Sequence, residues 1–343
     1  TAPGPTMSCA PTEIAGRDLS RERFLGEVVA GCRPVVLRGL ISDWPAVRAA
    51  RDSPRALMSY LAAFDAGARI EVFFGDPAIA GKYYYGEGLK GFNFERRVMG
   101  FREALQAIID AVEAAGVKSV YAGSAPCREC LPGFAPDNAM PLLAPETPPR
   151  IWLGTASNVS SHYDTFDNLA CVIAGRRRFT LYSPELIGRL YVGPIDRTMA
   201  GPPVSLAASS PADDQRFPLF REIRDQAWIC ELEAGDALYL PKLWWHQVES
   251  LAAFNGLVNY WWDALAAGPD SPYTSLLLAM ITIAERPPAE RQAWKAFFDH
   301  YVFRTHGHPL AHLPAEERGV LGPLKPDNYA NIRARVMQLL RGR

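Results

Sequence analysis

Nowhere in its 343 residues does the chain carry the run of about 18 apolar residues that spans a bilayer, so no membrane partner is expected. The stretch from Thr1 to Pro11 holds neither the basic region nor the apolar segment of a secretory signal, which makes the cytoplasm the expected location. An excess of one charge is missing too. Lys and Arg number 36 against 37 Asp and Glu, a formal charge of −1, too small to draw in nucleic acid over a distance, and none is expected as a partner. Cysteine is scarce: six residues are too few for a disulfide scaffold. Cys127 and Cys130 make one CxxC, but no second pair or suitably spaced histidine follows to complete a zinc site, and the βαβ setting of a thioredoxin-like motif is absent. Reduced structural thiols are the expectation. What remains is a composition close to the globular mean, 48% hydrophobic and 21% charged, in a chain long enough for a large core.

The first third alternates helix and strand signals. Ser20 can cap a helix with Phe24, Leu25, Val28 and Val29 on one face, and Pro34 to Gly39 reads as a strand. Ser53 followed by Pro54 opens a second helix that buries Leu57, Tyr60, Leu61 and Phe64. A strand over Ile70 to Phe74 comes next, then an amphipathic helix from Phe101 to Val112 closed at Gly116, then a strand over Ser119 to Ala122. From Ile151 to Trp262 the rhythm changes to short, regularly spaced strand-like runs at 151–153, 169–173, 179–182, 228–232, 237–240, 245–249 and 257–261, the pattern of a sandwich or barrel. One long interruption, Gly193 to Asp225, is rich in Pro, Ser and Asp and is expected near the barrel mouth. After Gly268 the chain turns helical. Tyr273 to Ile283 is apolar almost all round and is expected to be buried on more than one side, while Trp294, Phe297, Phe298, Tyr301 and Val302 form one stripe and Ile332, Val336, Leu339 and Leu340 another. Stripes this wide need partners, so a homodimer through these helices is expected, with packing inside one chain as the alternative.

The chemistry gathers in two places. In Ser160-Ser-His-Tyr-Asp164, His162 and Asp164 are two apart, and in a strand that spacing puts an imidazole and a carboxylate on one face, where both can grip one ion. Later, Gly235-Asp236 is followed by an apolar run, Pro241, and His246 at the start of the next strand-like run. If the two segments face each other across a barrel, His246 completes a 2-His-1-carboxylate set with open positions, the requirement of a non-haem Fe(II) oxygenase. The bland alternative is a pair of core histidines satisfied by hydrogen bonds. A rival metal cluster is His306, His308 and His312, which sits in a Gly- and Pro-containing connector and reads more simply as a solvated loop. Trp244 and Trp245 read as barrel wall. Tyr83, Tyr84, Tyr85, Phe92 and Phe94 lie in a Gly-rich stretch that either covers the site mouth or simply packs.

His162-Tyr-Asp with Asn168 downstream, Gly175 to Tyr182, Arg216-Phe-Pro with Phe220, Gly235-Asp to Ser250, and Val258-Asn-Tyr-Trp261 together resemble the JmjC and cupin-like Fe(II)/2-oxoglutarate oxygenases. Within that family the resemblance is greatest to the asparaginyl-hydroxylase branch that acts on hypoxia-inducible factor. It covers roughly Ser119 to Trp262, and Pro34 to Gly39 with Asp43-Trp-Pro also looks like the family's N-terminal region. The resemblance implies a mainly β protein with flanking helices: a double-stranded β-helix, or jelly-roll, core with N-terminal α/β elements and a C-terminal helical appendage. On this reading residues 12–265 form the oxygenase domain, its core at about 119–262, and residues 266–343 the helical region. It further implies Fe(II) held by His162, Asp164 and His246, which are then also the catalytic centre, and 2-oxoglutarate as co-substrate. The far carboxylate of 2-oxoglutarate would meet Tyr121 and a cation at Arg177, where close relatives carry lysine, with Asn168 and Asn259 in the same pocket. Strand parity agrees: with Phe179 and Leu181 facing the core, Arg177 does too, while Arg176 and Arg178 point out. A threonine that relatives place just before the HxD motif is absent, and Ser160, the nearest hydroxyl, is expected to take its place in binding 2-oxoglutarate.

The expected activity is that of a dioxygenase using dioxygen and 2-oxoglutarate to hydroxylate a C–H bond of a protein or peptide side chain. Two other readings stand beside it: an oxygenase or demethylase acting on a small molecule, and a cupin-like metal-binding or sensing module without 2-oxoglutarate turnover. The position of Arg177 and Tyr121 discriminates between the oxygenase and the binding module.

Overall fold

Alternating β-branched and aromatic residues, punctuated by Gly and Pro, form a 12-stranded sheet in the computed structural model. It describes residues 10–341 apart from 88–89, 115–117, 196–202, 210–212, 267, 269 and 323–324. The strands are β1 (Thr12–Ala15), β2 (Val35–Arg38), β3 (Arg69–Gly75), β4 (Lys82–Tyr83), β5 (Phe94–Gly100), β6 (Ser119–Pro126), β7 (Pro149–His162), β8 (Asp167–Ala174), β9 (Arg176–Tyr182), β10 (Trp228–Glu233), β11 (Ala237–Leu240) and β12 (Trp245–Trp262). Their order is β1-β2-β11-β8-β12-β7-β6-β3-β5, with β9 joining β10 to β12 and β4 alongside β7.

The long strands make this one sheet fold over on itself. The first part of β12, Trp245 to Ser250, lies between β9 and β7, whereas its second part, from Gly256 on, lies between β8 and β7. Between them the register shifts at Ser250/Phe254. Asn255 causes the bend: its buried amide donates to the Ala252 carbonyl at 2.6 Å and accepts from the Ala252 N–H, replacing ladder bonds with local ones. The two strands expected at 245–249 and 257–261 are therefore one bent strand passing from one face of a jelly roll to the other. The β8–β9 hairpin turns at Gly175, with φ of +72°, where an added Cβ would lie 2.5 Å from the Phe254 carbonyl oxygen, so only glycine fits.

Helices cover the outside. Ser20 caps α1 (Arg21–Arg23), which continues as a π-helical turn from Phe24 to Val29. Phe24, Val28 and Val29 are buried as expected, but Leu25 is 39% exposed, because the wider turn moves it off the shared face. The helix α2 (Pro45–Asp52) was not anticipated; α3 (Pro54–Ala62) has the expected Ser53 cap, whose hydroxyl accepts from the Ala56 N–H. Next come α4 (Phe101–Glu113), the short α5 (Cys127–Cys130) and α6 (Phe134–Asp137), and later α7 (Pro218–Arg221). Gly116, expected to close α4, and Cys9 lie outside the described residues. One apolar core fills the space between helices and sheet, including Phe24, Leu57, Leu61, Ile108 and Phe134, and a second lies inside the roll around Val172, Phe179, Leu238 and Trp244. Each such side chain removed from water contributes about 1.5 to 3 kcal/mol.

The chain divides at Ala264/Leu265 into two compact units. The second holds α8 (Pro272–Ile283), α9 (Pro288–Tyr301) and α10 (Pro326–Arg341). Here one expectation is overturned: α8 has no buried residue, and Ile281 is 82% exposed. The stripe on α9 is open as well, with Phe297 at 59%. A wide apolar face is buried only where another element covers it, and among the described residues of this unit none buries a side chain of α8 or α9. Among the described residues no helix is long and apolar enough to cross a membrane.

Candidate metal centre

His162 ends β7 and His246 is the second residue of β12, and the two are direct cross-strand partners. Their rings lie 4.2 Å apart, centroid to centroid. A register shift between His246/Val248 sets one residue of β12, Gln247, against two of β7, a bulge at Ser160 and Ser161 that re-aims His162. Each ring is held the same way: Nδ1 of His162 donates to the Ser160 carbonyl at 2.8 Å, and Nδ1 of His246 to the Trp244 carbonyl at 3.0 Å. These bonds favour the tautomer that leaves both Nε2 lone pairs free. Burial and the neighbouring His162 push His246 down to about 4, so it stays neutral and able to ligate at ordinary pH.

Asp164 joins them by a different route. It lies beyond the end of β7, so a shared strand face does not place it, contrary to the simple two-residue argument. Its carbonyl accepts from the Leu243 N–H at 2.8 Å, and its carboxylate Oδ2 accepts from the Trp261 indole N–H at 3.1 Å. That oxygen is 3.8 Å from Nε2 of His246. Ligand atoms of His162, Asp164 and His246 all lie within 4.8 Å of one another, and no other such group occurs among the described residues. The rival trio does not form such a group, and its central member is engaged elsewhere: Nε2 of His308 donates to the Leu321 carbonyl, and its Nδ1 accepts from the Leu310 N–H. Cys127 and Cys130 are buried and free, and burial pushes the Cys127 thiol up to about 12, as befits structural thiols.

The three groups open into a cavity of about 140 Å³ that also reaches Tyr121, Asn168, Arg177 and Asn259. Arg177 is 2% exposed while Arg176 and Arg178 pair with Glu231 on the outside, as strand parity predicts. The Arg177 guanidinium faces the Tyr121 hydroxyl, yet among the described residues its Nε and Nη2 are buried with no partner. Burial lowers the guanidinium pKa, and no carboxylate among the described residues pairs with it. Asn259 donates to Asn168 Oδ1 at 3.2 Å and accepts from the Trp152 indole at 2.6 Å. Ser160 is the exception. Its hydroxyl, expected to reach the co-substrate, instead donates to the Tyr83 carbonyl at 2.9 Å, because the bulge turns it toward β4, and it does not line the cavity.

Tyr83 and Phe94 of the aromatic stretch do line the cavity, together with Phe73. The long loop reaches it as well: Val204 bridges to His162 and faces the cavity, while residues 196–202 and 210–212 of that loop lie outside the described residues. Trp244 packs on Trp228 and Trp245 on Tyr163, so both are wall. Sequence reasoning missed the indole donors Trp152 and Trp261; the Val258 to Trp261 stretch stood out only as part of a resemblance.

A folded-over jelly roll with two imidazoles and a carboxylate at one end of its cavity defines the double-stranded β-helix class of metal-binding proteins. A family model described as the cupin-like domain matches residues 21–268, and the chain belongs to that family. It is 34% identical over 107 residues to tRNA wybutosine-synthesizing protein 5 of Gallus gallus, covering 31% of this chain and 30% of the relative. It is likewise 34% identical over 116 residues to Jumonji C domain-containing protein 5 of Drosophila melanogaster, covering 33% and 27%. A longer match, 26% identical over 254 residues, is to Lysine-specific demethylase 8 of Xenopus tropicalis, covering 71% of this chain and 51% of the relative. The chain thus spans about half or less of the length of these relatives.

Proposed function

We propose that this chain is an Fe(II)- and 2-oxoglutarate-dependent oxygenase that hydroxylates a C–H bond of a protein or peptide side chain. The observation that carries the reading is the Nε and Nη2 edge of Arg177, buried and unpartnered in the same cavity as the two histidines and the aspartate. A buried cation without a counter-charge costs several kcal/mol, and this edge is the fork that grips a carboxylate bidentately. Two imidazoles and a carboxylate suit Fe(II) and leave positions open beside it. His162, Asp164 and His246 would hold the iron; Arg177 and Tyr121 would hold the far carboxylate of the oxo acid, with Asn168 and Asn259 alongside. When bound, iron and 2-oxoglutarate supply dioxygen activation coupled to oxidative decarboxylation. The chain supplies fixed ligand geometry, an anion clamp, and apolar walls such as Phe179, Val248 and Leu257 that keep bulk water out.

The test is anaerobic addition of Fe(II) and 2-oxoglutarate to the purified chain. A weak metal-to-ligand charge-transfer band in the visible is expected, and Arg177→Met should lose it at concentrations that saturate the wild type. Metal binding without any band, whatever oxo acid is supplied, would favour the metal-binding or sensing module. Substrate choice is checked by mass spectrometry of candidate proteins, peptides and small molecules: gain of one oxygen on a side chain is expected, and loss of a methyl group would redirect the reading to demethylation. The proposal extends to a cytoplasmic homodimer joined through α8 to α10, supported by their open apolar faces. Light scattering that finds only monomer at micromolar concentration would sink the dimer.

A further inference from the structure

The metal ligands are not all anchored alike. Both histidines sit in strands, each with Nδ1 tied to a backbone carbonyl two residues earlier. Asp164 stands outside the ladder, and among the described residues its carboxylate accepts one hydrogen bond, from the Trp261 indole. That indole is itself fixed from two sides. Trp152 meets it edge-on, 5.8 Å between centroids at 90°, and the Arg150 guanidinium lies 5.9 Å from its ring centroid. Arg150 in turn docks on Ser124, Nε to the hydroxyl and Nη2 to the carbonyl, each at 2.5 Å. Ser124 can present both oxygens to one guanidinium because it sits at a bulge of β6, with φ of 55° and a register shift between Ala122/Ala125.

We propose that Trp261 is the positioning residue of the metal centre: its N–H sets the plane of the Asp164 carboxylate, and Arg150, docked on Ser124, holds the indole in place. The inference rests on the metal reading above. A carboxylate bonded only to solvent would swing between rotamers and meet an ion through one or both oxygens; a fixed donor on Oδ2 removes that freedom before the ion arrives. Orientation by an outer partner of this kind commonly governs metal affinity. The same indole pair reaches the other polar wall, since Trp152 donates to Asn259.

The test uses the full chain and Mn(II) as probe, with affinity read by titration of free-ion electron paramagnetic resonance and ligand mode read from the spectrum of the Cu(II)-loaded site. Trp261→Phe keeps the ring and removes only the donor. It is expected to weaken Mn(II) binding about 10-fold to 100-fold and to alter the Cu(II) spectrum, while the metal-free melting temperature stays put. Arg150→Met should move both readouts the same way by a smaller factor, and it carries the test if Trp261→Phe proves poorly folded. Unchanged affinity and spectrum in a folded variant would overturn the positioning role alone. A wild-type chain that binds no Mn(II), or an Asp164→Ala variant that binds it undiminished, would overturn the metal reading and this inference with it.

Discussion

At the histidine end of the cavity the polar groups already have protein partners; at the arginine end two guanidinium nitrogens, among the described residues, do not. Nδ1 of both histidines and Oδ2 of Asp164 are engaged, and ligand atoms of the three residues lie within 4.8 Å of one another. Arg177, by contrast, keeps Nε and Nη2 idle in a place that water does not reach. On the proposed reading, the difference would reflect what each end receives. A metal ion demands fixed geometry, so its ligands are oriented in advance, whereas a carboxylate brings its own acceptors and completes the hydrogen bonding of the group that binds it.

The most drastic way to break this contrast is to remove a ligand. His162→Ala or Asp164→Ala should abolish metal binding in a Mn(II) titration while the circular dichroism spectrum persists; undiminished binding in both would move the site elsewhere. Next, Arg177→Met should do two opposite things. It should eliminate detectable 2-oxoglutarate binding by calorimetry and, because it replaces an uncompensated buried charge by an apolar chain, stabilise the ligand-free protein by about 1 to 4 kcal/mol in urea unfolding. A destabilised Arg177→Met would mean that the guanidinium is satisfied, and the contrast would fail. A milder probe is Ser160→Ala. It loses the bond to the Tyr83 carbonyl and should cost about 1 kcal/mol, yet leave Mn(II) affinity near wild type, since the Ser160 carbonyl and not its hydroxyl orients His162. The smallest effect belongs to the C-terminal unit. Ile281→Ala, at a side chain 82% exposed, should change the stability of a dilute monomer by no more than about 0.5 kcal/mol, and by more as concentration rises if the helices pair.

Much of the strand pattern was legible because sheet periodicity is local. Arg177 is the clearest case: alternation alone turned it inward and its two neighbours out, and the pairing of Arg176 and Arg178 with Glu231 agrees. The three residues that the structure brings within 4.8 Å of one another were nominated too, from residue type and spacing. What spacing mispredicted was the manner of assembly. Asp164 reaches His162 from a loop tied down by Leu243 and Trp261, residues far along the chain, and the bulge that aims His162 also turns Ser160 away. No local pattern encodes either contact, because both depend on where β12 lies against β7.

The C-terminal helices show the same boundary from the other side. Their periodicity revealed helices and apolar faces, but periodicity reports what a helix would bury and not whether anything covers it. The amino-acid order by itself therefore determined a β-rich barrel followed by helices and nominated two histidines, an aspartate and an arginine. Only the tertiary structure decided that these four share one cavity, that an indole N–H holds the aspartate, and that the arginine is left with donors to spare. Such decisions rest on contacts between segments remote in sequence, whose distances are set by packing of the whole sheet rather than by any neighbour along the chain.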